Sequence, residues 1–169
     1  MKPYLLFPAV LLLSALPLQA EELPAATAET PDNTELPAAD VLTQLRELIR
    51  AGDYPAAWAL ASHAATELEG DPEFDFYYGL SAAQTGNHQP ALFSFERLSA
   101  SFPQVQRYRL ELARSYFFLG NLDQADTEFR RVLADNPPDA VRNNIQRFLD
   151  RLDAQRNALT PRWQSSLSL

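Results

Sequence analysis

A fixed period of 34 residues constrains this chain more than any other feature. Gly120, Asn121, Ala125, Phe129 and Pro137 repeat Gly86, Asn87, Ala91, Phe95 and Pro103 at that spacing. Gly52, Asp53 and Ala57 carry three of the same columns one step further back. Five matches at one spacing, three of them made twice, exclude a bundle with coincidentally similar turns. Self-similarity at such a period is the mark of a stacked solenoid, in which each unit buries its apolar face only against its neighbours.

Each column has a physical reason. A glycine after the first helix of a unit can take the left-handed backbone that ends a helix. Asp53, Asn87 and Asn121 follow it, and their side chains are expected to accept hydrogen bonds from the free N–H groups of the next helix. Ala57, Ala91 and Ala125 are small where two helices approach closely. Phe95, Phe129, Leu98 and Val132 are large and should fill the gap to the next unit. With these residues in place, the period resembles that of the tetratricopeptide repeat (TPR). The expected fold is all-α, a solenoid of three helix-turn-helix repeats with a C-terminal capping helix.

In chain order, residues 1–20 read as a secretory signal peptide. Lys2 gives the positive start, Tyr4 to Leu18 the apolar run, and Leu18-Gln19-Ala20 the cleavage site before Glu21. Three prolines and the short run argue against a membrane anchor. Residues 21–38 are acidic and rich in Ala, Pro and Thr, with too little apolar bulk to offset ordering, and read as a linker. The helical domain is expected over 39–158, with repeats at about 39–70, 71–104 and 105–137 and the cap at 138–158. In that cap Val141, Ile145, Phe148, Leu149 and Leu152 form one apolar stripe. The tail, 159–169, alternates from Trp163 to Leu169 in the manner of an outer-membrane strand.

Composition narrows the function. The chain has no cysteine, so an exported form is held together by packing alone. Lys2 is its single lysine, and every other basic residue is arginine. Residues 21–80 carry thirteen acids against two arginines, and residues 81–169 nine acids against eleven arginines. That balance argues against a nucleic-acid partner, which needs a concentrated basic face. No glycine cluster could cradle a phosphate, and His63 and His88 fall in different repeats, away from metal-ligand spacing. The sequence therefore predicts no catalytic residue, no cofactor and no metal: a non-enzymatic protein.

A narrower resemblance rests on LARSYFFLGNLDQADTEFRRVLADNPPDAVRNNIQRFLDRLDAQ. This run is similar to the end of the periplasmic repeat domain of surface lipoprotein assembly modifier proteins, where a last TPR unit passes through a proline pair into a helix. The segment Trp163 to Leu169 resembles the start of the barrel that follows in that family. The likeness extends over residues 40–169. It implies a periplasmic interaction domain of an outer-membrane factor that helps lipoproteins reach the cell surface. Attachment to the outer membrane would require the barrel, so the chain reads as a fragment or a truncated product. A free-standing periplasmic TPR adaptor is the alternative.

In a TPR superhelix the first helices line the concave groove, where an extended protein or peptide client, such as a lipoprotein, would lie. The predicted binding residues are Arg46 and Arg50 in the first repeat, Phe76 and Gln84 in the second, and Arg107, Arg114 and Phe118 in the third. Leu42, Ile49, Leu80, Leu110 and Phe117 are expected to face the groove beside them. Arginines next to exposed aromatics suit acidic or C-terminal carboxylate groups.

Overall fold

The computed structural model describes residues 37–159, and every structural statement below concerns these residues. The signal peptide, nearly all of the linker and the tail from Thr160 lie outside them. Seven helices follow one another: α1 (Ala38–Ala51), α2 (Tyr54–Leu68), α3 (Pro72–Gln84), α4 (His88–Ser101), α5 (Gln106–Phe118), α6 (Leu122–Ala134) and α7 (Asp139–Leu159). No strand is present among the described residues. The expected solenoid of three helix-turn-helix repeats and a capping helix is the observed architecture.

The periodic glycines end the first helix of each repeat in one geometry. Gly52, Gly86 and Gly120 have φ of 78°, 83° and 78°. The N–H of the following residue reaches back five positions: Asp53 to Leu48, Asn87 to Ala82 and Asn121 to Tyr116, at 2.8–2.9 Å. Each glycine N–H bonds three positions back, to Ile49, Ala83 or Phe117. This pair of bonds is the Schellman closure. The backbone carbonyl of the same Asp or Asn then accepts from Ala57, Ala91 or Ala125 and so opens the second helix.

One expectation needs correction at this turn. Only Asp53 caps through its side chain, accepting from Ala56 N at 3.1 Å. Asn87 and Asn121 make no side-chain cap, and the Asn87 amide donates to Thr85 Oγ1 instead. The column is set by backbone bonds at both of its ends, which an Asn or Asp can supply without its side chain.

Between the two helices of a repeat, volume is exchanged across one pair of positions. Position 45 becomes 79 and 113 in the next repeats, and position 61 becomes 95 and 129. The pairs are Leu45 with Ala61, Gly79 with Phe95, and Ala113 with Phe129, all buried. A Cβ added to Gly79 would lie 3.0 Å from the Phe95 ring, so the glycine makes room for that ring. Large-with-small pairing keeps the interior filled while its bulk moves from one helix to the other.

Repeats join through α2 with α3 and α4 with α5, and the first helices α1, α3 and α5 also adjoin one another. No comparable contact links the second helices. The first helices therefore form the inner side of the stack. At its end, α7 closes the core with Ile145, Leu149 and Leu152 against Phe129 and Val132. Phe148 lies on Phe129 with ring centroids 5.2 Å apart and nearly parallel. Asn136, at φ 51°, turns the chain from α6 into the proline pair. Arg142 clasps that turn, donating to Asn136 Oδ1 and to the Pro137 carbonyl.

Candidate functional site

The inner side of α1, α3 and α5 carries the residues expected in the groove, and their surroundings divide them. Arg46 is exposed but committed. It reaches from α1 to α3, donating to Glu73 and, at 3.4 Å, to the Tyr77 hydroxyl. The Glu73 bond, then the Tyr77 bond, hold the guanidinium pKa above its ordinary value. As an open surface pair it adds little stability, and it bridges the first helices of the first two repeats. Arg50 and Gln84 are exposed, with no hydrogen bond or ion pair to other described residues.

Leu80 and Phe117 are buried at 6% exposure each, which corrects their expected place on the groove surface, and Leu110, at 9%, shows only an edge. The inner side of a first helix is narrow, because neighbouring first helices pack against part of it. Leu42 and Ile49 are half-buried in the first-repeat core.

Arg107 and Arg114 both lie on α5, two helical turns apart, in opposite situations. Arg107 is exposed. Its guanidinium lies 4.9 Å from the centre of the Phe76 ring, and no carboxylate among the described residues pairs with it. Phe76 in turn meets Tyr108 at 5.6 Å. Stacking holds the planar fork while leaving its N–H edges free. Arg114 donates to both oxygens of Glu111, at 3.0 and 3.2 Å, and to Asn144 Oδ1 of α7 at 2.9 Å. It also lies over Phe148. Glu111 is 6% exposed, so Arg114 supplies a buried charge with its partner and bolts α5 to the cap. This corrects its expected role as a free groove residue.

Phe118 is 53% exposed and stacks on His88 at 4.6 Å, with rings 8° from parallel. It also meets Phe117 and Phe148 edge-on. Burial there lowers the His88 pKa below its ordinary value.

Beside Arg107 a cleft of about 360 Å³ opens between the start of α5 and the α6–α7 turn. Leu110, Val132, Pro137, Pro138 and Val141 give it apolar walls, and Gln106, Arg107 and Glu111 its polar edge. The repeat columns did not point to this cleft, because it forms where the third repeat meets a helix outside the 34-residue register. The proline pair was its one sequence signal. Glu73, Tyr77, Glu111 and Asn144, the partners that occupy Arg46 and Arg114, were also missed.

No group of three or more His, Cys, Asp or Glu among the described residues could hold a metal ion. Between α2, α3 and α4 a smaller cavity of about 200 Å³ lies beside the exposed Phe93. Under it Arg97 makes paired bonds to the buried Asp75, at 3.0 and 2.8 Å.

Comparison with known proteins agrees with this architecture. The tetratricopeptide repeat family profile matches residues 82–144. No curated protein matches the sequence. Among solved structures, PcrH in complex with the chaperone binding region of PopD shares 19% identity at a TM-score of 0.56, over 70% of this chain and 92% of that one. The Yersinia enterocolitica type III secretion translocator chaperone SycD gives 15% and 0.56 over the same shares. The Sgt2 TPR domain from Aspergillus fumigatus gives 15% and 0.57, over 73% of this chain and 84% of that one. At these identities the likeness is one of fold, and the fold is a TPR-like solenoid.

Proposed function

We propose that this TPR-type solenoid is a non-enzymatic protein-interaction domain whose inner face takes up an extended segment of a client protein. The observation that carries this reading is Arg107. It is a cation held on an aromatic ring, without an ion pair among the described residues, and set beside an apolar cleft on the side where the first helices adjoin. Arg50, Gln84 and Phe118 extend the accessible surface along that side. Arg114 supports it from beneath, and Arg46 spans α1 and α3 at its surface. The PcrH structure, which holds a segment of PopD, lends support from a protein of the same fold.

The finer reading comes from the sequence resemblance. The client is a lipoprotein on its way to the cell surface, and the domain works in the periplasm after cleavage behind Ala20, beside an outer-membrane barrel. Site-specific photocrosslinking in Gram-negative cells tests both levels. A photoreactive residue at Arg107 or Gln84 should capture a lipid-modified envelope protein, while one at Phe93 on α4 should not. Equal capture from both positions, or none from the inner face, would refute the groove. A specific inner-face partner without a lipid anchor would keep the groove and favour the free-standing adaptor.

A further inference from the structure

We infer that the cleft beside Arg107 is a two-point recognition site for an aliphatic side chain next to an acidic one in the client segment. The inference rests on the proposed groove and names what its C-terminal part selects. The first point is charge. On the inner side Arg46 is met by Glu73, and Arg114 by Glu111. Arg50 and Arg107 have no ion pair among the described residues, and of these two Arg107 stands at the rim of the cleft.

The repeat register explains why Arg107 has no carboxylate partner among the described residues. Arg46 meets a residue 27 positions on. The same step back from Arg107 lands on Leu80, which is apolar and buried. Arg107 stands in the column that holds Glu73 one repeat earlier, so a basic residue replaces the acidic one and rests on Phe76. Its fork is thus oriented but not neutralised, the state from which a paired bond to a carboxylate costs least ordering. The first turn of α5 carries no acidic residue, and its N-cap, Val105, supplies no side-chain acceptor. The helix end therefore adds to the positive field.

The second point is shape. The cleft is at the small end of the range for ligand pockets, a size for one or two side chains rather than a whole cofactor. Its walls are aliphatic, and Pro137 and Pro138 have no N–H to donate. The Glu111 carboxylate at its edge is already taken by Arg114. A lone apolar ligand would leave Arg107 unused, and a lone acid would leave the walls empty. The pair fits both.

Selection from a displayed library of random dodecapeptides on the immobilised chain tests this. Binders should be enriched in an aliphatic residue adjacent to Asp or Glu. For a synthetic peptide of the enriched sequence, exchanging the acid for its amide should weaken binding at least tenfold. Arg107→Gln should erase that preference at an unchanged melting temperature, while Arg130→Gln on α6 should preserve it. Binders without the acidic residue, or a preference that survives Arg107→Gln, would overturn this inference and leave the groove standing. No binder at all would count against this inference and the broader groove together.

Discussion

The two ends of the inner face of α5 show how one helix can both hold a fold together and offer a surface. At its start Arg107 lies over the Phe76 ring beside an open cleft, with no ion pair to another described residue. Two turns later Arg114 is enclosed by Glu111, Asn144 and Phe148, and behind it Phe148 lies against Phe129. The residue type is the same. What differs is whether a carboxylate among the described residues pairs with the guanidinium and whether α7 covers it. An arginine in a groove is therefore a candidate for recognition only after its internal partners have been counted.

The contrast is sharpest in stability. Phe129→Ala should give the largest effect, because the fully buried ring supports Phe148 and the whole closed end. Such truncations cost about 3–5 kcal/mol, a large share of the roughly 5–15 kcal/mol that keeps a domain folded. Chemical denaturation should show the loss, and a change no larger than that of a surface variant would refute the packing. Next comes Arg114→Gln. It leaves the Glu111 carboxylate without its charged partner and should cost about 1–3 kcal/mol. Adding Glu111→Gln should restore part of that loss, because the two residues act as a pair. Strictly additive losses would show that they do not.

Much of the fold was legible in the sequence because the period acts through the backbone. The glycine columns need a left-handed residue whatever the neighbours are, and the alanine columns need a small one. Those demands survive in a single chain read alone. The Gly79–Phe95 exchange was harder to see, since it keeps total volume rather than residue type. The site was less legible, for a similar reason. Arg46 and Arg114 looked alike in sequence because each sits on a first helix among apolar residues. Glu73 lies 27 residues from Arg46 and Asn144 lies 30 from Arg114, on other helices. Glu111 is three residues from Arg114 on the same helix, but its burial, which makes the pair structural, is not visible in the local sequence. Asn144 belongs to a helix outside the repeat register, so no column could have announced it.

A smaller effect follows from His88, at the Phe118 end of the same surface. Burial lowers its pKa in the folded state, so folding favours the neutral ring. An unfolded histidine takes up its proton near pH 6.5. The preference therefore adds stability above that pH, and the gain is lost as pH falls through the folded-state value. The ring is partly open to water, so the slope should be shallow. His88→Asn should flatten it, which melting curves between pH 7.5 and 5 would detect. An unchanged slope would assign the acid sensitivity to other groups.

The central claim is that α5 divides its two inner-face arginines, Arg107 and Arg114, between recognition and structure, and side-by-side melting of Arg107→Glu and Arg114→Glu tests it most directly. Arg107→Glu should melt with the unaltered chain, within the roughly 0.5 kcal/mol expected of a surface change. Arg114→Glu sets a second carboxylate against the buried Glu111 and should melt several degrees lower, by about 4–8 °C for each kcal/mol lost in a small domain. Equal melting of the two variants, or a fall for Arg107→Glu alone, would contradict the division.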